Sequence, residues 1–420
     1  MATIRVSKRN GWVRVVAALS GALTIVLGLP VLHAVDTSWG LALDGNAVTA
    51  LEDAPPEAGG AVTGWLRSRV VLSGDPVAPR RFLDLALQGR FQYTSDLQFL
   101  DLETLRLRGQ WDAIAGTDGV LRTQTGRFRV VDRSSAVLDH PLDGAGVDLS
   151  WRSLRVSATA GYSGWLLNAV SRVRMTDQDV LDQQNEDLHF APGRIIGIAR
   201  ISLPEFMRRQ TFDLELTGQR DLRDAAAADR LDTGYLTIAL TGPVVPRVYY
   251  DVVVTAMAAA DEMTPAAHAR GSFWITGGAA VPMRVSASVG WASGRSAVTA
   301  PFVPITRDAV GSILLLPVQN VVQGQLALSV RPASFLQVST DATVFLIGSS
   351  RLPDLAGVNP AAESGLIGAE LTGRMAIRPT SDLGVGVTAA SFFPATGSWG
   401  IFNEGVTNQA RLGVEVSLGL

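Results

Sequence analysis

The chain alternates. From Phe82 to Thr94 it reads FLDLALQGRFQYT, with Leu83, Leu85, Leu87, Phe91 and Tyr93 on one parity and Asp84, Gln88, Arg90 and Gln92 on the other. A period of two sends successive side chains to opposite faces, so this stretch predicts a strand with one apolar and one polar face. The pattern recurs in LRVSATAGY (154–162), FDLELTGQ (212–219), RVSASVGW (284–291), GQLALSVR (324–331) and ARLGVEVSL (410–418). Along the whole chain there are 18 such runs, beginning near residues 38, 61, 82, 98, 119, 144, 153, 193, 211, 233, 246, 267, 282, 319, 334, 365, 382 and 407. The fourth changes parity near Glu103–Thr104, which predicts a β-bulge there.

The connections between runs alternate as well. Short turns such as WRS (151–153), GPVVP (242–246), RPAS (331–334) and RPTSD (378–382) are interleaved with long stretches at 164–192, 221–232, 259–266, 294–318, 349–364 and 395–406. These long stretches read as polar or small-residue-rich. Short turns at one end and long loops at the other define an up-and-down barrel, whereas a Greek-key sandwich has no reason to keep that rhythm. The fold class predicted is all-β: a transmembrane, up-and-down, antiparallel β-barrel of about 18 strands, with 16 the alternative. Hydrocarbon cannot satisfy an open sheet edge, so such a barrel must close. At this size it encloses water rather than a packed core.

The first 34 residues read as an address. Arg5, Lys8, Arg9 and Arg14 precede the apolar run VVAALSGALTIVLGLPVL (15–32), and Ala34 suits a cleavage point. An uncleaved anchor is the alternative, although Gly21, Gly28 and Pro30 weaken a helix there. The division expected is a signal peptide over 1–34 and one barrel domain over 35–420. It places the protein in the outer membrane of a diderm, Gram-negative-type bacterium, with membrane lipid and the barrel-insertion machinery as partners.

Composition changes this picture little. The chain has no cysteine, which excludes a disulfide scaffold. Its net charge of −3 argues against nucleic acid as a partner. The distribution of charge says more. Parity turns twelve arginines and eight acids toward the lumen, so the interior is basic although the protein is acidic. Six of these arginines, Arg90, Arg106, Arg108, Arg127, Arg129 and Arg155, crowd into one wall opposed by Asp84 and Asp112, and the others spread from Arg247 to Arg411. A wall of guanidinium groups favours anions through its field and through bidentate bonds to carboxylate or phosphate. Pairing with lumenal acids, which would merely stiffen the barrel, is the competing role for each arginine.

The segment GRFRVVDRSSAVLDHPLDGAGVDL (126–149) resembles part of the alginate-export-type outer-membrane barrels, in which a Gly-Arg strand leads through a loop to an Asp-Gly that opens the next. Gly126, Arg127, Asp143 and Gly144 carry the likeness. It implies an 18-stranded barrel with an arginine-rich conduit for an anionic polysaccharide.

Catalytic and metal chemistry find little support. Asp139 and His140 are adjacent and would point to opposite faces of a strand, and no serine is specified beside them. The acids Asp177, Asp179, Asp182, Glu186 and Asp187 lack the spacing of a calcium loop and read as a solvated segment. Neither an enzyme nor a cofactor is expected. The function expected is a porin-like channel for small or polymeric solutes, leaning toward anions, with export of an anionic polysaccharide as the narrower form. A structural or adhesive surface barrel with an occluded lumen and ligand-binding loops is the alternative. The loop 164–192 is the segment expected to decide between them, by folding inward or outward.

Overall fold

A computed structural model describes residues 35–48, 57–71, 81–94, 98–112, 118–163, 173–185, 192–224, 230–259, 262–278, 281–296, 298–307, 309–349, 355–363 and 365–419. The leader read over 1–34, and residues 164–172 and 186–191 of the longest loop, lie outside them.

Eighteen strands form one antiparallel sheet in chain order. They are β1 (Val35–Val48), β2 (Glu57–Val71), β3 (Arg81–Thr94), β4 (Gln98–Asp112), β5 (Val120–Val131), β6 (Asp139–Ser150), β7 (Arg155–Tyr162), β8 (Arg194–Leu203) and β9 (Thr211–Asp221). There follow β10 (Thr233–Val245), β11 (Val248–Ala259), β12 (Glu262–Gly277), β13 (Met283–Ala292), β16 (Val321–Ala333), β17 (Leu336–Ile347), β18 (Leu366–Ile377), β19 (Leu383–Pro394) and β20 (Gln409–Gly419). Between β13 and β16 a two-residue ladder, β14 (Ala309–Val310) with β15 (Leu316–Pro317), stands apart from the sheet. One helix, α1 (Asp177–Gln184), interrupts the connection from β7 to β8.

The sheet closes on itself. Besides β2, strand β1 pairs with β20, from Gly40 opposite Gly419 to Val48 opposite Arg411. Each of the 18 alternating runs corresponds to one strand of the ring. The parity change in the fourth run is a bulge: Gln88 faces Thr104 and Gly89 faces Leu102, leaving Glu103 as the extra residue. Some boundaries differ: β6 begins at Asp139 rather than near 144, and β10 runs on to Val245 through the turn read at 242–246. Residues 259–266 read as a long connection, but Ala259 already pairs with Glu262, because β11 supplies a partner edge to a segment whose own pattern is broken by Pro265.

Exposure is inverted relative to a water-soluble protein. On β9, Leu216 is 58% exposed on the outer surface, while Asp213, Glu215, Thr217 and Gln219 are buried inside. Strand β10 repeats this with Leu236 and Ile238 outside and Thr233 and Thr237 inside, as does β18 with Leu371 outside and Glu370 and Thr372 inside. Polar side chains therefore cluster within, and the apolar set forms the outer belt.

The five longest connections, 163–193, 222–232, 293–320, 348–365 and 395–408, all leave one end of the ring. The first described strand begins, and the last ends, at the opposite end, with the turns 151–154, 246–247, 334–335 and 378–382. If the outer belt meets hydrocarbon, Leu216→Arg should destabilise the barrel by about 2–4 kcal/mol in lipid vesicles. Equilibrium unfolding by denaturant measures this, and a neutral effect would mean that β9 does not face lipid.

Candidate functional site

The interior has two unlike halves. Strands β2 to β8 carry a guanidinium wall. Asp84 accepts from Arg69 Nε at 2.7 Å on one side and from Arg108 Nη2 at 2.6 Å on the other. Asp148 bridges Arg122 Nη1 at 3.2 Å and Arg155 Nε at 2.5 Å in the same way. One row further, Arg67 and Arg106 flank Ala86 across the sheet, with Arg108 and Arg67 acting on Arg106 as like charges. Asp112 lies on the same face of β4, held by Gln110 beside Arg122. Three carboxylates thus face the six arginines Arg67, Arg69, Arg106, Arg108, Arg122 and Arg155, and pairing does not neutralise the wall. Several of these side chains stay wet, Arg69 and Arg155 being 50% and 57% exposed. Arg108, Arg122, Arg129, Arg155 and Arg200 border an open space of about 270 Å³ on this side.

The sequence-derived residues take different places in this arrangement. Arg106, Arg108 and Arg155 stand in the wall as described. Arg90 reaches Asp44 at 3.4 Å and Glu103 at 3.8 Å. Arg129 is bound to Asp139 at the start of β6. Arg127 is almost fully buried, directly opposite Asp143 and within the field of Asp101. Its neighbour Gly126 faces Gly144, so the four residues of the Gly-Arg and Asp-Gly pairs form two cross-strand couples. Both glycines are sterically required. Gly126 has φ +103°, and a Cβ there would lie 2.1 Å from the Leu105 carbonyl oxygen; at Gly144 it would lie 2.1 Å from that of Ala160.

Simple parity passed over Arg67, Arg69, Arg122 and Arg200, and the acid Asp148. In β5 the reason is Gly126: its positive φ changes the phase, so counting back from Arg127 misplaces Arg122. Arg247 moves the other way: parity turned it to the lumen, but it sits at the β10–β11 hairpin tip with φ +71°.

The other half of the lumen is filled by the chain. The connection 132–138 folds inward, its turn built by the Asp132 carboxylate, which accepts from the backbone N–H groups of Ser134, Val137 and Leu138. Arg133 projects from that turn onto the acidic wall. It donates to Asp213 and Asp251 at 2.6 Å each, and its backbone N–H donates to Glu215 at 2.9 Å. Burial pushes the Arg133 guanidinium down, but the hydrogen bonds to Asp251 and Asp213 outweigh it and hold it above its ordinary range. Arg200 on Glu215 and Arg270 on Asp251 complete the compensation.

The connection 293–320 inserts beside it. Its Ile305 and Thr306 N–H groups both donate to the Val137 carbonyl. Glu370 accepts from the Ser312 and Ile313 N–H groups at 2.7 and 3.0 Å, and Arg411 donates to the Ser312 carbonyl at 2.6 Å. Val137, Leu138, Phe302, Ile305 and Leu316 pack there with Tyr235 and Phe345 of the wall into a buried apolar cluster. This corrects the expectation of a wholly water-filled interior. Within the described part of the loop 164–192, Arg174 donates its N–H to the Ile305 carbonyl and α1 is clasped by the buried pair Asp179–Arg194. Val173 of that loop forms a β-bridge with Thr306 and joins the inserted core, most of which comes from other connections. Their sequences held a signal: AVL at 136–138, PFVPI at 301–305 and ILLLPV at 313–318 are too apolar for loops in water.

A closed barrel of eighteen antiparallel strands with an apolar exterior, a basic wall and inserted constricting segments defines the class: a porin-like β-barrel. Comparison with known proteins agrees at the level of fold. No protein-family model matches the chain, and no curated protein does. Solved structures do match. OccK5 (OpdH) of Pseudomonas aeruginosa superposes with a TM-score of 0.56 at 12% identity, over 92% of this chain and 98% of that one. OpdL of the same organism gives 0.56 at 12%, over 93% and 99%. OccD3 (OpdP) gives 0.52 at 12%, over 91% of each. At such identity the likeness establishes the barrel, and the alginate-export-type resemblance gains no support from it.

Arg133 is the tether whose removal the lumen should feel first. Arg133→Ala should raise single-channel conductance in planar bilayers, with Glu370→Ala acting in the same direction. Unchanged conductance in both would mean that the apolar contacts of Val137, Leu138 and Ile305 hold the inserted segments unaided.

Proposed function

We propose that the protein is an outer-membrane channel for small anionic solutes, guided along the arginine wall and sized by the inserted segments. The observation that carries this is the charge imbalance of the wall: Arg67, Arg69, Arg106, Arg108, Arg122 and Arg155 against Asp84, Asp112 and Asp148. Guanidinium stays charged at any working pH and offers a planar donor fork to carboxylate or phosphate. Within a Debye length of about 8 Å in physiological salt these charges act on any ion that passes. The shared fold with OccK- and OccD-type outer-membrane porins supports both the channel and its location. A polymeric substrate draws less support, because Gly126, Arg127, Asp143 and Gly144 are engaged in strand packing and a buried couple.

A surface barrel with an occluded lumen is the second reading, favoured by the buried apolar cluster inside the ring. Conductance of the refolded protein in planar bilayers separates the two, since an occluded barrel passes no current.

The anion reading is tested by replacing Arg106, Arg108, Arg122 and Arg155 together with Gln. This keeps long polar side chains and removes four charges. The reversal potential in a salt gradient should move from anion toward cation preference, most at low ionic strength. A cation-preferring native channel, or an unmoved reversal potential in the variant, overturns the reading. Orientation has its own test. Cysteines at Asp182 and Glu404, on the long-loop end, should react with an impermeant maleimide on intact cells, and one at Ser381 should not. The reverse pattern would place the long loops in the periplasm.

A further inference from the structure

The short-turn end carries a feature that conduction does not use. Two neighbouring turns, 204–210 after β8 and 246–247 after β10, are tied together where Gln210 Nε2 donates to the Pro243 carbonyl at 2.8 Å. Three arginines occupy them in left-handed backbone conformations: Arg208 at φ +46°, Arg209 at φ +70° and Arg247 at φ +71°. Pro246–Arg247 has the order of a type II turn, whose second central residue is ordinarily Gly or Asn. Strained backbone at non-glycine residues persists where something else is gained. Glu205 shares the left-handed region at φ +59°, so these turns hold three cations and one acid in fixed positions. All three arginines are exposed and border one groove of about 640 Å³ with Pro243, Val244, Val245 and Tyr249. Glu205 is the acid in these turns, and among the described residues no ion pair joins it or any other acid to the three arginines.

The surroundings point to lipid. Phe206, Met207, Val244 and Val245 are 48%, 63%, 58% and 53% exposed beside the arginines. Phe206 packs against Phe212, at 5.6 Å between ring centres, on the outer belt of β9. Apolar side chains interleaved with unpaired cations at the edge of the belt match an interface that is apolar on one side and anionic on the other.

We propose that this groove binds the phosphate of an anionic phospholipid headgroup in the leaflet at the short-turn end, with the lipid's acyl chains on Phe206, Met207, Val244 and Val245. The proposal rests on the reading of the chain as membrane-spanning. It fails separately from the channel reading, because conductance tests the lumen and these turns lie outside it.

The test is native mass spectrometry of the full-length protein in detergent with added phosphatidylglycerol or phosphatidylcholine. The variant is Arg208→Asn, Arg209→Asn, Arg247→Asn. Asparagine tolerates the left-handed region, so the barrel should fold and melt at the same temperature or higher. The native protein should retain phosphatidylglycerol in preference to phosphatidylcholine, and the variant should lose about tenfold of that preference. Equal retention of the two lipids by the native protein overturns the proposal, as does an undiminished preference in the variant. Release of the lipid by millimolar inorganic phosphate would assign the groove to free phosphate instead. A dimer present in the native protein and lost in the variant would assign it to a second copy.

Discussion

The obligation of every backbone N–H and C=O to find a partner is the constraint on which the rest of this structure depends. In hydrocarbon no water can satisfy an exposed sheet edge. The ladder between β1 and β20 is therefore the contact without which the other seventeen have no stable context. Closure also fixes the alternation: once the ring is sealed, every second residue faces in and every other faces out. The buried acids of β9, β11 and β18 and the exposed leucines beside them follow from that one topological fact.

Enclosure then creates an electrostatic problem that each half of the lumen meets differently. Where β2 to β8 line the interior, arginines outnumber acids, and Asp84 and Asp148 are each shared by two guanidinium groups, leaving positive charge facing water. Where β9 and β11 bring Asp213, Glu215 and Asp251 together, Arg133 arrives from a connection to meet them. The interior field is thus shaped partly by side chains of the wall and partly by a charge carried in on a folded turn.

How much of this was legible in the sequence depends on the range of the interaction concerned. Period-two alternation is local, and it located all the strands and even the bulge at Glu103. Parity put Arg106, Arg108 and Arg155 on the strand face they share with Asp84 and Asp148. It failed where one residue changes the phase, as Gly126 does for Arg122, and where a strand ends before the pattern does, as at Arg247. The inserted segments were hidden for another reason. Their anchors, Arg133 to Asp251 and Ser312 to Glu370, join residues far apart in the chain, and no local rule pairs them. The apolar run ILLLPV marked its connection as unusual without saying what it would meet.

The inserted segments have a consequence for assembly. Both 132–138 and 293–320 precede β16, and the second is anchored on β18 and β20, which follow it. The buried cluster also takes in Phe345, Ile367 and Phe392 of the later strands and Ile401 and Phe402 of the last long connection. Glu370 and Arg411 grip Ser312 from strands that follow it in the chain. The filled interior is therefore complete only when the final strands are in place, and the closed ring and its contents depend on each other.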